Sequence, residues 1–450
     1  MAKDKLTQYD SVASGNLDVG GISVAEGMLP SGVNNAIREQ MSHLADFAAG
    51  TSGVDVLKLQ DDTDTNSIKL QAPASVTADT TFTMPDGDGS ADQVLKTDGS
   101  GQLGWADRHA NPSLIINGAM TVAQRGSVNS SDGNTVYTLD RWALYLRGGA
   151  AATVTKDTDV PSGQGFASSL KIDVTTGDAL GTSNDFCLFR QRIEGQDLQH
   201  LKKGTASAES LTLSFWIKST VTGTYILELV DDTNTRNIHK TYTVSSSDTW
   251  EYKTLTFAGD TTGTIDNDNT TGLEVAWFLG QGSDYTSGTL NTSWAASVNA
   301  NRAVGQVNAV SSASNNILIT GVKLEVGSTA TDFVHESYGD TLERCQRYFQ
   351  KSYNLADAIG NTSDSAGYNV YQIDDGALQR DGVRLPVRMR ANPTVTIYNP
   401  STGASGSSRT NSGNNYSTST FSKGESGFFV SYTPAAGEFV YFHNTADAEL

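Results

Sequence analysis

The sequence predicts an all-β protein with one short helix near the start of the chain. Apolar and polar residues alternate with period two over many short stretches, the pattern of strands that bury one face. These stretches are separated by turn chemistry, supplied by 44 glycines and abundant Ser, Thr, Asn and Asp. A hydrophobic content of only 37% would also fit disorder, but 15 Phe, 16 Tyr and 6 Trp sit inside the alternating patterns and favour order.

At 450 residues the chain holds two to four domains. We divide it at 1–53, 54–110, 111–338 and 339–450. In the first segment a helix is expected from about Asn34 to Ala49, closed by Gly50 and Gly53. Val33, Ile37, Met41, Leu44 and Ala48 fall on one stripe of it. So short a helix is marginal by itself, so the stripe needs cover. The cover is either the same helix of other subunits, a docking surface, or the chain's own body.

Residues 54–110 read as a small β neck. Val54, Val56, Ile68, Leu70, Phe82, Met84, Val94, Leu95, Leu103 and Trp105 are its apolar positions, with Asp86–Gly89 and Asp98–Gly101 as turns. That is too little for a monomeric core, and interleaving with two further chains would supply the rest. A homotrimer is therefore expected.

From residue 111 to 338 the alternation is regular. Leu211, Leu213, Phe215 and Ile217 share one face, opposite Thr212, Ser214, Trp216 and Lys218. Leu273, Val275, Trp277 and Leu279 repeat the pattern, as do Leu318, Thr320, Val322, Leu324 and Val326. Further strands are expected at Thr224–Val230, His239–Val244 and Glu251–Phe257. Strands with one apolar face pack face to face, which gives a two-sheet sandwich. A helix over Asp340–Gln350, with Leu342, Cys345, Tyr348 and Phe349 inward, leads into a smaller C-terminal β domain. Within that domain the Gly/Ser/Asn/Thr-rich tract Ser401–Ser422 is either an exposed loop or locally disordered.

A net charge of −19 argues against a nucleic-acid partner, because phosphate binding needs clustered Lys and Arg. The two cysteines, Cys187 and Cys345, have no metal-ligand or disulfide-scaffold spacing and read as buried thiols. There is no apolar run long enough to span a membrane and no signal-peptide core at the start. No nucleophile motif, P-loop or metal signature is present, so neither catalysis nor a cofactor is expected. A carboxylate pair remains the enzymatic alternative, with Asp231-Asp232 and Asp374-Asp375 as first places to look, though solvated turns suit both better. Asp260–Gly263 and Asp266–Asn269 could offer oxygen ligands to Ca²⁺, but Asx-rich turns are common without metal.

Sugar binding uses aromatic faces flanked by polar groups. The candidates in the sandwich are Trp216, Lys218, Trp250, Tyr252, Tyr285 and Trp294, weighed against core or sheet-covering roles; Trp142 and Trp277 are assigned to the core. In the C-terminal domain Val383–Arg390 reads as one strand, with Arg384, Arg388 and Arg390 on a single face. Such a row would capture acidic sugars or, as we favour, pair with neighbouring carboxylates.

Several segments carry a resemblance. Leu114–Gly118, Gln124-Arg125-Gly126 and Asp140-Arg141-Trp142, answered by Gly321–Glu325 and Cys345–Tyr348, resemble the opening and closing of a β-sandwich adhesion module in bacteriophage tail fibres. Val33–Phe47 resembles the virion-proximal end of short-tailed phage fibres, and Ala78–Asp107 resembles a neck element of such fibres. Phe439–Leu450 is similar to a fibre C-terminal ending, and Leu385–Thr396 matches a structural strand. The resemblance implies a jelly-roll-like sandwich similar to carbohydrate-binding modules. It also implies a virion component, made in the host cytoplasm, whose N-terminus meets tail adaptor or nozzle proteins. Its distal part would grip host polysaccharide or lipopolysaccharide without cutting it.

Overall fold

The computed structural model describes residues 17–19, 21–24, 27, 29–48, 56–60, 67–71, 75, 80–89, 93–107, 112–131, 133–362, 367–373 and 377–450. Gly20, Gly50, Gly53, Val54, Asp374 and Asp375 lie outside them. The chain divides into two compact units, residues 1–108 and 109–450.

In the first unit β1 (Asp18–Val19) and β2 (Ile22–Ser23) form a small hairpin that packs against α1 (Pro30–Ala48). The helix starts four residues before the expected Asn34. Proline is tolerated in a first turn, where its missing N–H would be unpaired anyway, so Pro30 opens the helix rather than delaying it. The face turned to the hairpin carries Ala36 and His43, which are buried together with Val19. The apolar stripe points elsewhere: Val33, Ile37, Met41 and Leu44 are between 44% and 64% exposed.

Two hairpins follow, β3 (Val56–Gln60) with β4 (Ser67–Gln71) and β5 (Gln93–Thr97) with β6 (Leu103–Asp107). Trp105 donates its indole N–H to Gly87 O at 2.7 Å, and its ring fills the space a side chain at Gly89 would need. Leu70, Phe82, Met84, Val94 and Leu95 stay exposed, as expected for a neck short of core.

The second unit opens with the sandwich. One sheet has six strands in the order β16 (Glu251–Phe257), β13 (Leu211–Ser219), β19 (Asn316–Val326), β11 (Ser169–Thr176), β10 (Ala151–Asp157) and β7 (Val128–Ser130). The other has seven: β18 (Ala295–Ala296), β15 (Arg236–Val244), β14 (Gly223–Asp231), β17 (Thr271–Gln281), β12 (Phe186–Glu194), β9 (Ala143–Arg147) and β8 (Asn134–Tyr137). Their facing sides make one core, in which Phe215 of β13 meets Trp277 of β17 at 5.6 Å and Trp142 stacks on Phe189 at 4.8 Å. Cys187 and Cys345 are both buried thiols outside any disulfide, and burial pushes the Cys345 thiol up.

One face assignment needs correction. Leu318 and Thr320 do not share a side with Val322 and Leu324. A bulge at Gly321, at φ 62°, shifts the register against β13, so Ile317 and Ile319 enter the core before it and Val322 and Leu324 after it. Period two fails wherever one strand carries an extra residue.

Gly118, the glycine of Leu114–Gly118, lies flat against β19. Its carbonyl accepts from Val322 N at 3.0 Å, and an added Cβ would stand 2.0 Å from Val322 O. The expected result of Gly118→Ala is a loss of roughly 1–3 kcal/mol, the usual cost of overpacking, measurable by urea unfolding.

Helix α3 spans Tyr338–Gln346 rather than Asp340–Gln350. Ser337 caps it by accepting from Asp340 N at 3.2 Å, and the chain then turns so that Phe349–Lys351 joins a sheet as β20. Cys345, Tyr348 and Phe349 are buried as expected, while Leu342 is only partly so.

In the C-terminal region β28 (Phe439–Asp447) pairs with β20, β21 (Asn369–Gln372), β23 (Thr394–Tyr398) and β24 (Ser407–Thr410), and β24 pairs with β25 (Asn415–Ser417). A second sheet orders β22 (Gln379–Arg384), β27 (Gly427–Tyr432) and β26 (Ser419–Gly424). Their core includes Val383, Ile397, Phe428, Val430 and Phe442. The tract Ser401–Ser422 is therefore ordered. Polar bonds tie it together: Thr418 Oγ1 donates to Ser408 Oγ at 2.7 Å, and Asn399 Nδ2, just before the tract, donates to the Ser408 carbonyl at 3.1 Å.

Sandwich and C-terminal region meet at a buried charged joint. Gln124 Nε2 donates to Asp140 Oδ1 (2.6 Å) and to Phe349 O (2.8 Å). Arg125 reaches Asp447 at 3.1 Å and lies 3.7 Å over the Phe349 ring. Arg141 pairs with Glu449 and lies 3.4 Å over the Tyr348 ring. Arg347 and the Tyr348 hydroxyl both bind Glu194. The quoted motifs Gln124-Arg125-Gly126, Asp140-Arg141-Trp142 and Cys345–Tyr348 thus meet in space.

Candidate functional site

Antiparallel pairing of β13 and β16 sets Trp216 opposite Tyr252 on the outer side of the six-stranded sheet. Their ring centroids are 5.2 Å apart at 47°. One pair along the strands, Lys218 and Trp250 converge on Asp159. Lys218 Nζ donates to Asp159 Oδ2 at 2.7 Å, and Trp250 Nε1 donates to Oδ1 at 2.9 Å. The bond from Lys218, helped by that from Trp250, holds the Asp159 carboxyl below the usual range. Strand alternation made this face: Leu213, Phe215 and Ile217 take the core, so their neighbours turn outward.

The Gly321 bulge adds a wall. A Cβ there would stand 2.6 Å from Phe166 and 3.1 Å from Trp216, so only glycine lets both rings close over the backbone. Phe166 continues into Phe333 and His335, each ring about 5 Å from the other two. Tyr252 is the most open ring, 47% exposed; Trp216, Trp250 and Phe166 are half-buried. The result is a surface of flat apolar rings beside an oriented carboxylate and ammonium. It suits a ligand with an apolar face and a rim of hydroxyls.

Four sequence candidates, Trp216, Lys218, Trp250 and Tyr252, thus come together; the other five do not join them. Tyr285 packs on Phe186 at 4.5 Å. Trp294 covers the core, donates to Ala258 O at 2.7 Å and receives Lys203 over its ring. The arginine row does not lie on one strand: β22 ends at Arg384 and the chain bends at Pro386, yet Arg384 and Arg388 still line one cleft, which Arg390 does not join. Arg384 is exposed, Arg388 pairs with Glu425, and Arg390 turns back to donate to Asn269 O, Ala448 O and Glu449 O. The favoured pairing therefore describes Arg388, whereas Arg390 braces backbone.

Asp159, Phe166, Phe333 and His335 went unseen in the sequence. Phe166, a lone aromatic within a Gly/Ser stretch, was the available signal; Asp159 gave none, because its partners lie 59 and 91 residues away. Asp231 is not in a solvated turn but fully buried, tied to Lys203. Asp260, read as a possible cation ligand, spends its oxygens on Arg236 and Lys203. Burial alone would raise its carboxyl, but these two cations hold it at about 2. Among the described residues no helix is long and apolar enough to cross a membrane.

The fold is a β-sandwich distantly similar to carbohydrate-binding modules and to a phage tailspike domain. No sequence family matches the chain, and no curated protein does. Among solved structures, the enzymatically active domain of bacteriophage CBA120 tailspike protein 4 is 15% identical over 48% of this chain, with a TM-score of 0.27. The match spans about a fifth (21%) of that tailspike chain. A family 4 carbohydrate-binding module is 13% identical, covers 47% of this chain and 99% of its own, and gives a TM-score of 0.25. A family 11 module from Clostridium thermocellum, solved with a mixed-linked tetrasaccharide, is 14% identical, covers 46% and 98%, and gives 0.23.

Proposed function

We propose that this chain is a phage tail-fibre component that adheres to a host surface glycan without cleaving it. The observation that carries the reading is the outer face of β13 and β16, where Trp216, Tyr252 and Trp250 adjoin an Asp159–Lys218 pair. Sugar rings stack on such aromatic faces, and the fixed charges bond hydroxyls. Affinity for one glycan would be low, and multiple copies would raise it through effective concentration. The exposed stripe Val33, Ile37, Met41 and Leu44 is the seam along which three chains would assemble. In this reading the N-terminus joins a tail adaptor or nozzle protein, and the protein resides in the virion.

The test is retention of the purified protein on host envelopes, with released reducing sugar assayed in parallel. Retention without release is expected. The double variant Trp216→Ala/Tyr252→Ala should lose most of it, since each stacked ring is worth roughly 1–3 kcal/mol by analogy with base stacking. Full retention by a folded double variant sinks the site, and sugar release makes the protein a depolymerase instead.

A further inference from the structure

A second site lies beside the joint. A cavity of about 300 Å³ opens between β12, the C-terminal end of α3 and the stretch at 113–116. Four arginines are among the residues that line it, Arg141, Arg192, Arg344 and Arg347. Their carboxylate partners Glu449, Glu274, Glu336 and Glu194 are not.

Each guanidinium also has a donor to spare. Arg347 spends Nε and Nη2 on Glu194, Arg192 spends Nε on Glu274 and Nη1 on Leu450 O, and Arg344 spends Nη1 on Glu336. Arg347 Nη1, Arg192 Nη2 and Arg344 Nη2 have no hydrogen-bond partner among the described residues. Arg141 Nε is buried and likewise unpartnered. The buried Arg141 Nε is costly to leave unmet, whereas the spare donors of Arg192, Arg344 and Arg347 are partly open to solvent, and all of them can take an anion. Asp197 also lines the cavity. Burial, and then Glu194 beside it, pushes its carboxyl up, and its oxygens can accept from a hydroxyl.

We infer that this cavity binds one acidic sugar unit, its carboxylate or phosphate held by the arginines and its hydroxyls by Asp197. A volume at the lower end of the roughly 300–1,000 Å³ typical of small-ligand clefts suits a single ring rather than an extended chain. The inference goes beyond the aromatic face and does not depend on it. Four arginines around one cavity favour a charged ligand, where the aromatic face favours a flat one.

The experiment is calorimetric titration of the full-length protein with glucuronate, glucose 6-phosphate, glucose and inorganic phosphate. At least one charged sugar should bind tenfold or more tightly than glucose and than inorganic phosphate, and which one does so distinguishes carboxylate from phosphate. Arg344→Gln, at a half-exposed position and checked for an intact fold by near-ultraviolet circular dichroism, should weaken that binding by roughly tenfold or more, as for a charge-assisted bond. Arg344→Lys should fall between. Equal binding of glucose, equal binding of inorganic phosphate, no binding of either charged sugar, or an unchanged Arg344→Gln affinity each overturns the proposal. Those failures leave the aromatic face standing, since envelope retention by the Trp216/Tyr252 variant is read separately.

Discussion

Replacing Glu449 with alanine should destabilise the second unit by about 3–5 kcal/mol, the cost of stripping one partner from a buried ion pair. Arg141 and Glu449 are both almost wholly buried, with side-chain exposures of 1% and 2%. Glu449 also lies 3.3 Å from Arg125. Without it two guanidinium groups stay inside with only Asp447 and Asp140 near Arg125 to answer them. Denaturant unfolding of the wild type and the variant measures the effect. A conservative Glu449→Gln keeps the shape but not the charge and should lose nearly as much. A change below about 0.5 kcal/mol, the size of ordinary surface effects, would mean that the joint is not held by charge.

The second large effect is expected at Glu228, inside the seven-stranded sheet. Arg302 grips both of its oxygens at 2.9 and 2.6 Å, while His239 Nε2 and Asn237 Nδ2 reach it at 3.0 and 2.7 Å. Burial would raise this carboxyl, but Arg302 first and His239 next overcome that and hold it at about 2, against an ordinary 4.5. The folded value is depressed, so the group's stabilisation is fully present above pH 4.5 and drains away as the pH falls towards 2. At about 1.4 kcal/mol per unit, the wild type should lose on the order of 3 kcal/mol from this residue across that window. Arg302→Ala should cost about 3–5 kcal/mol near neutrality. It should also flatten this part of the acid limb, because the carboxyl then loses its strongest reason to stay ionised. Equilibrium unfolding between pH 2 and 7 tests both. An acid limb of the same steepness in the variant would assign the loss to other carboxylates.

Much of the architecture was legible in the sequence. Strands β13 and β16 have the bounds expected from the sequence and pair with each other in an unbroken ladder from Leu211–Phe257 to Ile217–Glu251. Period-two reading failed at Gly321, where one extra residue reverses the sides of β19 and where the glycine itself gives only a weak hint of a bulge. It failed again at Pro386, which ends a strand that charge alternation alone would continue to Arg390. The tract Ser401–Ser422 read as an exposed loop or as locally disordered, yet part of it pairs with β28 as β24, and Thr418 bonds to Ser408 within it. Trp216 and Lys218 could be placed outward from their own strand. That Tyr252 and Trp250 stand opposite them follows from the register with β16, and the arrival of Asp159 and Phe166 from distant loops was invisible. Of the motifs that carried the family resemblance, Gln124-Arg125-Gly126, Asp140-Arg141-Trp142 and Cys345–Tyr348 build the joint, whereas Gly321 belongs to the aromatic face.

The joint has a consequence for the order in which the molecule can be completed. Arg125 and Asp447 are 322 residues apart, and Arg141 and Glu449 are 308 apart. A ribosome therefore exposes the two cations long before their counterions exist. Until residues 447–449 emerge, the nascent sandwich must leave that edge hydrated and ajar. Residues 447–449 would then close the joint like a latch, and products cut before them would be open-sided bodies that proteases can discriminate.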